Sequence, residues 1–195
     1  RLSVAICTRN REHLLAQTLE SFSSVRVPEG LEWELLVVDN GSTDGTQDVL
    51  RRFAIGLPLR VIEERVRGKS QALNRAVSAV CGEYVLWTDD DVLVPPDWLE
   101  AYVAGIRRWP DAVLFGGPVE PWFEVPPPQW VRDAWPRLAV AYATFDLGPE
   151  PSALSFDHLP HGANAAVRMA EQRRFLYDVR LGPGVSRGLR GEETT

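Results

Sequence analysis

The segment Tyr84-Val85-Leu86-Trp87-Thr88-Asp89-Asp90-Asp91 joins a short apolar run to three consecutive aspartates. Adjacent carboxylates repel one another, so such clusters usually persist where a cation neutralises them. A strand that ends in acidic side chains also places them at the carboxyl edge of a sheet, where open α/β proteins bind their ligands. The alternative is a solvated acidic turn that caps the following helix. The rest of the sequence decides between these two interpretations.

The chain alternates short apolar strands with amphipathic helices. Strands are predicted at residues 2–7, 34–39, 59–62, 84–88, 112–115 and 160–168, and helices at residues 12–22, 46–53, 70–80 and 96–108. This alternation indicates parallel βαβ units with right-handed crossovers. We therefore expect an α/β fold with one mostly parallel sheet, flanked by helices, in a single domain.

Composition excludes several classes of protein. The 195 residues carry a net charge of -6, which argues against a nucleic-acid-binding surface. No apolar run approaches the roughly 20 residues of a membrane span, and no signal peptide is visible. Cys7 and Cys81 do not make a disulfide framework, and we expect both thiols to be reduced and buried. Since the chain starts at Arg1 and stops without a predicted terminal helix, we expect it to be truncated, at the C-terminus in particular.

Polar side chains follow several of the predicted strands. Thr8 and Arg9 follow the first strand, Asp39 ends the second, and the aspartates follow the fourth. Because parallel strands end at the same edge of a sheet, a single crevice should collect these side chains.

The segment Arg67-Gly68-Lys69-Ser70 resembles the end of a P-loop, but that motif requires glycine where this chain has Glu63. The first strand is also not followed by the Gly-x-Gly-x-x-Gly of a dinucleotide-binding domain. Lys69 at the start of a helix still suits contact with a diphosphate, the alternative being ordinary surface charge.

A series of motifs in a fixed order carries a resemblance to a known family. They are Val4-Ala5-Ile6-Cys7-Thr8-Arg9-Asn10-Arg11, Val37-Val38-Asp39-Asn40-Gly41-Ser42-Thr43-Asp44-Gly45-Thr46, Gly68-Lys69-Ser70-Gln71-Ala72-Leu73-Asn74-Arg75-Ala76, the segment from Gly82 to Asp91, His161-Gly162-Ala163-Asn164-Ala165-Ala166-Val167-Arg168, and Gly191-Glu192-Glu193-Thr194. Together they resemble the family 2 glycosyltransferases of GT-A fold, over nearly the whole chain outside residues 118–160.

The resemblance implies transfer of a sugar from a nucleoside-diphosphate donor, with UDP-sugars favoured, to an acceptor hydroxyl or amine, usually with inversion. It implies one catalytic domain over residues 1–195, with residues 1–117 as the nucleotide-sugar-binding half and residues 118–195 on the acceptor side. The acceptor would be a glycan, a glycolipid or a small molecule. By the same resemblance we expect a cytoplasmic enzyme, with peripheral association at the inner face of the membrane as a further expectation.

The resemblance also implies roles for residues at the donor. Those near the nucleotide would be Thr8, Arg9 and Arg11, with Asp39 reading the base, and Gly68, Lys69 and Asn74 lining the nucleotide and diphosphate. Asp89 and Asp91 would form the family's Asp-x-Asp motif, with one aspartate at the ribose or sugar and the later one on Mg2+ or Mn2+, and Asp90 would also lie at the substrate. Because the middle position is Asp90, the choice of the direct metal ligand stays open at this point.

The chemistry of glycosyl transfer suits these residue types. Negative charge builds on the leaving diphosphate as the glycosidic bond breaks, and a hard divalent cation held by carboxylates stabilises that charge. The acceptor must also lose a proton to a base on the opposite side of the anomeric carbon. By resemblance the base is the second residue of an acidic pair, here Glu193, with Glu192 as the alternative. The family usually has aspartate at that second position.

His161 begins the Gly-Ala-Asn segment and is expected either to contact the acceptor or the diphosphate, or to be a structural histidine. In the Pro-rich segment 118–136, the side chains of Trp122, Trp130 and Trp135 either stack on acceptor sugars or pack that segment onto the core. Two rival functions stay open. One is a non-catalytic relative that binds a sugar nucleotide, suggested by Glu193 in place of aspartate. The other is a nucleotidyltransferase, disfavoured because the loop after the first strand lacks that class's glycines.

Overall fold

The computed structural model describes residues 1–181. The strands are β1 (Leu2–Thr8), β2 (Trp33–Asp39), β3 (Leu59–Glu63), β4 (Tyr84–Trp87), β5 (Leu114–Gly116) and β6 (Ala165–Arg168). They form one sheet in the order β3-β2-β1-β4-β6-β5. The first four strands are parallel to one another, and β6 is antiparallel to both of its neighbours. The prediction of a single α/β domain with a mostly parallel sheet is confirmed.

Four longer helices connect the strands. They are α1 (Glu12–Phe22), α2 (Thr46–Phe53), α3 (Lys69–Ala79) and α4 (Trp98–Arg108). Helix α4 begins two residues later than predicted, because Pro95 and Pro96 precede it and the amide of Trp98 donates to the carbonyl of Pro95 at 3.1 Å. Short helices follow later in the chain: α5 (Gln129–Asp133), α6 (Trp135–Leu138) and α7 (Met169–Gln172), with 3-10 turns at Ala139–Tyr142 and Gly162–Asn164.

The sheet is covered on both faces by apolar helix faces. On one face, α1, α2 and α4 contribute buried side chains such as Leu15, Leu50 and Leu99. On the other face, α3 contributes side chains such as Ala72 and Ala76. Because strands covered on both faces must be apolar on both faces, β1, β2 and β4 read as continuous apolar runs. Their carboxyl ends all open at the same edge, which positions the site described below.

The strand predicted at residues 160–168 ends where expected but begins five residues later, at Ala165. Only Ala165–Arg168 is extended, and this strand inserts between β4 and β5 in antiparallel orientation. The preceding Gly162–Asn164 forms a 3-10 turn instead. The turn is held by Asn164, whose Oδ1 accepts hydrogen bonds from Trp98 Nε1 at 2.9 Å and from Tyr102 Oη at 2.7 Å.

The segment between β5 and β6 has an aromatic cluster of its own. Phe123, Trp135 and Tyr142 contact one another with ring centroids 5.5–6.0 Å apart. Trp135 therefore packs within the segment, whereas Trp122 and Trp130 are 62% and 65% exposed. Within residues 1–181, none of the helices combines the length and the apolar character that crossing a membrane would require.

Both cysteines are free thiols. The expectation that both are buried is wrong for Cys81, which is exposed because it lies in the loop between α3 and β4. Cys7 lies near the carboxyl end of β1 and is only partly accessible.

Candidate functional site

Two loops at the carboxyl edge of the sheet are joined by an asparagine. Asn10 follows β1 with a left-handed φ of 52°. Its backbone N–H donates to Ser42 Oγ at 3.0 Å, and its side-chain Oδ1 accepts from the backbone N–H of Thr43 at 2.7 Å. Asparagine tolerates this backbone conformation better than most residues. These bonds hold the loop after β1 against the loop after β2.

A second asparagine fixes the loop that leads into α3. The Nδ2 group of Asn40 donates to the carbonyls of Glu64 and Val66 at 2.8 and 2.7 Å, and its Oδ1 accepts from the amide of Gly68 at 2.9 Å. Gly68 has φ 139°, a conformation that disfavours any side chain. Asn40 and Gly68 together therefore determine where Lys69 and the first turn of α3 are placed.

These loops enclose a cavity of about 500 Å³. Its lining comprises Cys7, Thr8, Arg9, Arg11, Asn40, Gly68, Lys69, Ala72, Asp89, Asp90 and Asp91. The structure thus brings together eight of the residues singled out in the sequence, including three cationic and three acidic side chains. The three cations match the three carboxylates in number, so the lining is balanced in formal charge although the chain carries a net charge of -6.

The three aspartates are in different environments. Asp90 is only 6% exposed, and it accepts a hydrogen bond from Thr8 Oγ1 at 2.7 Å and one from Arg11 Nη1 at 3.2 Å. Burial raises the pKa of the Asp90 carboxyl, and the Thr8 hydrogen bond and the Arg11 charge offset only part of that rise. The side chains of Asp89 and Asp91 are 36% and 43% exposed, so their oxygens are open to the cavity.

Protein cations lie beside the two outer aspartates. Arg11 Nη1 is 2.6 Å from Asp91 Oδ2, and Lys69 Nζ is 3.5 Å from Asp89 Oδ1. No group of three or more His, Cys, Asp or Glu side chains within residues 1–181 is placed so that it would hold a metal by itself. The donor set nevertheless fits Mg2+ or Mn2+ at a diphosphate, because such ions are typically bound by one or two carboxylates together with phosphate oxygens and water.

The cavity contains one thiol. Burial raises the pKa of Cys7, and the neighbouring Asp89 and Asp90 charges raise it further, whereas Lys69 lowers it. Burial therefore disfavours the thiolate form of Cys7.

Asp39 and Asn74 do not line the cavity. The carboxylate of Asp39 is 2% exposed and accepts hydrogen bonds from the amide of Ser42, at 2.9 Å, and from the side chain of Gln47. Asn74 bonds in both directions to the backbone of Tyr177, each bond being 2.8 Å. In this structure both side chains therefore hold neighbouring segments, and their contact with a nucleotide stays a prediction.

His161 lies outside the main cavity but beside a second one. Its ring packs against Phe145 with centroids 5.4 Å apart. The next residue, Gly162, lines an adjoining space of about 20 Å³ together with Lys69 and Asp89. The Gly-Ala-Asn segment therefore borders the acidic end of the site, although its histidine is held by an aromatic neighbour.

The predicted base and its alternative, Glu193 and Glu192, lie outside the described residues. The last described residue, Leu181, is at the site edge of the sheet, where its carbonyl accepts a hydrogen bond from Ser70 Oγ at 3.0 Å. Ser70 is in the first turn of α3, next to Lys69.

Sequence reasoning missed the positioning role of Asn40 and the unusual state of Thr88. Asn40 had a detectable signal, since it directly follows the aspartate that ends a buried strand. Among residues 1–181, Thr88 Oγ1 is buried without a hydrogen-bond partner directly before the aspartates. Nothing in the local sequence distinguishes this threonine from one with a satisfied hydroxyl.

The sheet order, the parallel crossovers and the acidic carboxyl edge define an α/β domain with a ligand-sized cavity at the ends of its parallel strands. The model of Glycosyl transferase family 2 matches residues 3–144. This chain therefore belongs to glycosyl transferase family 2.

Two similar proteins have related sequences. Glycosyltransferase AglE of Haloferax volcanii is 32% identical over 121 residues, which cover 61% of this chain and 39% of AglE. The structure of the mannosyltransferase PcManGT from Pyrobaculum calidifontis, in complex with GDP-Man and Mn2+, is 28% identical with a TM-score of 0.66. That match covers 95% of this chain and 50% of PcManGT, so the present chain spans half or less of these relatives.

A third match extends the similarity of fold alone. The S. aureus TarS 1-349 structure in complex with UDP-GlcNAc is 21% identical, with a TM-score of 0.65 over 91% of this chain and 48% of TarS. The GT-A fold expected from the motifs is thus confirmed.

Proposed function

We propose that this chain is the catalytic domain of a glycosyltransferase that uses a nucleoside-diphosphate sugar and a divalent cation. The observation that carries the proposal is the cavity at the carboxyl edge of the sheet, where three cationic and three acidic side chains converge in a family 2 fold. A mixed lining of this kind matches a ligand that is itself a diphosphate with a bound metal.

The diphosphate has two sources of positive charge on the protein. Lys69 and Arg9 line the cavity, and the first turn of α3 begins at its wall. The first backbone N–H groups of a helix have no partner within the helix, and the helix dipole favours anions there. Asn40 orients that turn by holding Gly68. These groups would bind the leaving nucleoside diphosphate and stabilise its charge.

Asp89 and Asp91 would hold the cation. Their partial exposure supports this assignment, whereas Asp90 is committed to Thr8 and Arg11 and so suits the central position of an Asp-x-Asp motif. When bound, the metal would neutralise charge that develops on the diphosphate. A structure of PcManGT contains Mn2+ together with GDP-Man, which supports a divalent cation in a related protein.

The acceptor would enter from the side formed by residues 118–195, with Glu193 as the base and Glu192 as the alternative. A base opposite the leaving group produces inversion. The acceptor oxygen then bonds to the anomeric carbon on one face while the bond to the diphosphate breaks on the other. The exposed rings of Trp122 and Trp130 are suited to stacking on a sugar acceptor.

A thermal-shift panel tests the donor site. The midpoint of unfolding is measured with UDP, GDP and their sugars, each with Mn2+, with Mg2+ and with EDTA. A ligand at 100 times its Kd stabilises the folded state by about 2.7 kcal/mol, which corresponds to roughly 5–10 °C for a chain of this size. Nucleoside monophosphates with the same cations are the control, since they lack the second phosphate. If no nucleoside diphosphate raises the midpoint with either cation, the proposal is wrong.

A second candidate is a non-catalytic relative that only binds the sugar nucleotide. It is favoured by Glu193, which stands where the family usually has aspartate. Release of nucleoside diphosphate from the donor chosen by the panel separates the two candidates. Turnover that is lost in Glu193→Gln supports the transferase, and tight binding without turnover on any acceptor supports the binding protein.

A further inference from the structure

The protein itself supplies a cation to the carboxylates that are proposed to bind metal. The same guanidinium nitrogen, Arg11 Nη1, is 2.6 Å from Asp91 Oδ2 and 3.2 Å from Asp90 Oδ1. One arginine thus joins the buried central aspartate to the exposed outer one. Arg9 lines the same cavity, but within residues 1–181 the ion pairs of Asp90 and Asp91 are those with Arg11.

This pairing competes with a metal ion for the same carboxylate oxygen, Asp91 Oδ2. Mg2+ and similar ions bind carboxylate oxygens at about 2.0–2.1 Å. A metal on Asp91 would then lie within a few ångströms of the guanidinium, where two positive charges repel strongly. Arg11 therefore weakens metal binding at Asp91 for as long as it stays paired with that carboxylate.

Arg11 is placed so that it is able to move. Its side chain is 46% exposed, and Asp91 is 43% exposed, so solvent reaches this end of the pair. The cavity that it lines is where the diphosphate is proposed to bind. Phosphate is a strong alternative partner, because a guanidinium donates two parallel hydrogen bonds to it.

We propose that Arg11 is a resident counter-ion of Asp90 and Asp91 that transfers to the donor diphosphate when the metal binds. The proposal rests on the proposed function, since it takes a nucleoside diphosphate and a divalent cation to bind in this cavity. Without the donor, metal competes with Arg11 for Asp91 and binds weakly. With the donor, the phosphates engage Arg11 and the metal gains Asp91. Metal and nucleotide affinities are therefore positively coupled, and the coupling is reciprocal.

The test is the affinity for Mn2+ alone and with UDP, or with GDP where the thermal panel selects it. Free Mn2+ is measured by electron paramagnetic resonance, with correction for Mn2+ that the nucleotide binds in solution. In the wild-type chain the nucleotide should tighten Mn2+ binding at least about tenfold. Arg11→Gln should tighten the binding of Mn2+ alone by about five- to tenfold, because the competing charge is gone. The additional tightening of Mn2+ binding by the nucleotide should be smaller in this variant than in the wild type.

Two variants separate charge from other effects. Arg11→Lys keeps a positive charge and should bind Mn2+ alone as weakly as the wild type. Arg9→Gln removes a cation from the same cavity without freeing a carboxylate, and should tighten the binding of Mn2+ alone less than Arg11→Gln does. Circular dichroism of each variant checks that the fold is retained.

The proposal is overturned if Arg11→Gln binds Mn2+ alone no more tightly than the wild type, or if Arg9→Gln gives the same gain. If the nucleotide fails to bind the wild-type chain, the proposed function is wrong instead. The comparison in Mn2+ alone then still decides whether Arg11 is the counter-ion of the aspartates.

Discussion

The sheet has one buried carboxylate near the amino ends of its parallel strands, here called the amino edge, and another beyond their carboxyl ends, at the carboxyl edge. The hydrogen bonds and charges around these two carboxylates differ. Near the amino ends of the strands, Glu34 accepts hydrogen bonds from Ser3 Oγ at 2.5 Å, from the amide of Cys81 at 2.7 Å and from Arg60 Nη2 at 2.8 Å. At the carboxyl edge, three adjacent aspartates surround a cavity of about 500 Å³. Helix α3 runs between the two edges of the sheet. It begins at Lys69 beside the cavity, and the carbonyl of its last residue, Ala79, accepts a hydrogen bond from Arg60 Nη2 at 2.6 Å.

The pKa values of the two buried carboxylates shift in opposite directions. Burial alone would raise the pKa of Glu34, but the hydrogen bonds from Ser3 and Cys81 and the interaction with Arg60 lower it below its ordinary value. For Asp90, burial dominates and the pKa is raised. A carboxylate with enough donors stabilises the fold, whereas carboxylates with too few donors leave electrostatic strain that a bound cation relieves. We therefore expect the amino edge to contribute to stability and the carboxyl edge to bind the proposed ligand.

The largest expected effect is on turnover, at the carboxyl edge. Asp91→Asn removes a proposed metal ligand and should lower turnover by about 100- to 1000-fold. Its effect on the free energy of unfolding should stay within about 1 kcal/mol, because the pair with Arg11 is partly exposed. The measurements are release of nucleoside diphosphate and a denaturant titration.

Asp97→Asn is the matched control for Asp91→Asn. Asp97 is an exposed carboxylate directly before α4 and does not line the cavity. Its substitution should change neither turnover nor stability. Full turnover in Asp91→Asn would contradict the division between the two edges.

The next effect is on stability, at the amino edge. Glu34→Gln should lower the free energy of unfolding by about 2–3 kcal/mol, because Arg60 loses its carboxylate and the donors from Ser3 and Cys81 lose a charged acceptor. Turnover well below the unfolding midpoint should be unchanged. Glu32→Gln, an exposed glutamate just before β2, is the control. A loss of turnover without a loss of stability would reverse the roles assigned to the two edges.

The same glutamate predicts a pH dependence. Because the pKa of Glu34 is lower in the folded chain than its ordinary value of 4.5, its contribution to stability is present above that pH. The contribution is lost as the pH falls through the folded pKa. The difference in unfolding free energy between the wild type and Glu34→Gln should therefore shrink as the pH falls below 4.5. Denaturant titrations at several pH values measure it, and a difference independent of pH would contradict this account.

The parts of the fold that follow from local patterns were predictable. The strands β1, β2 and β4 are mostly apolar, and α1 and α2 have the predicted bounds because apolar positions recur at helical spacing. The clustering of Thr8, Lys69 and the aspartates followed from one rule, that parallel strands end at the same edge.

What sequence patterns did not reveal depends on contacts between distant segments. The insertion of β6 between β4 and β5 depends on pairing across more than 80 residues, such as Tyr84 with Arg168. The side chain of Asn74 has groups suited to a ligand, but the backbone of Tyr177, which is 103 residues later in the chain, occupies them. Whether a polar group faces a ligand or its own chain is decided by the path of neighbouring loops.

The smallest effect tests the comparison most directly, because it has the opposite sign to that of Glu34→Gln. Since burial raises the pKa of Asp90, its charged form destabilises the folded chain above its ordinary pKa of 3.8, and this cost is absent at lower pH. Asp90→Asn should therefore raise the free energy of unfolding at pH 7 by up to about 1 kcal/mol, after allowance for the lost attraction to Arg11. The gain should disappear near pH 3, where the wild-type carboxyl is also neutral. Denaturant titrations at the two pH values measure it. If Asp90→Asn instead destabilises the chain as Glu34→Gln does, Asp90 is held as firmly as the glutamate, and the carboxyl edge is not electrostatically strained.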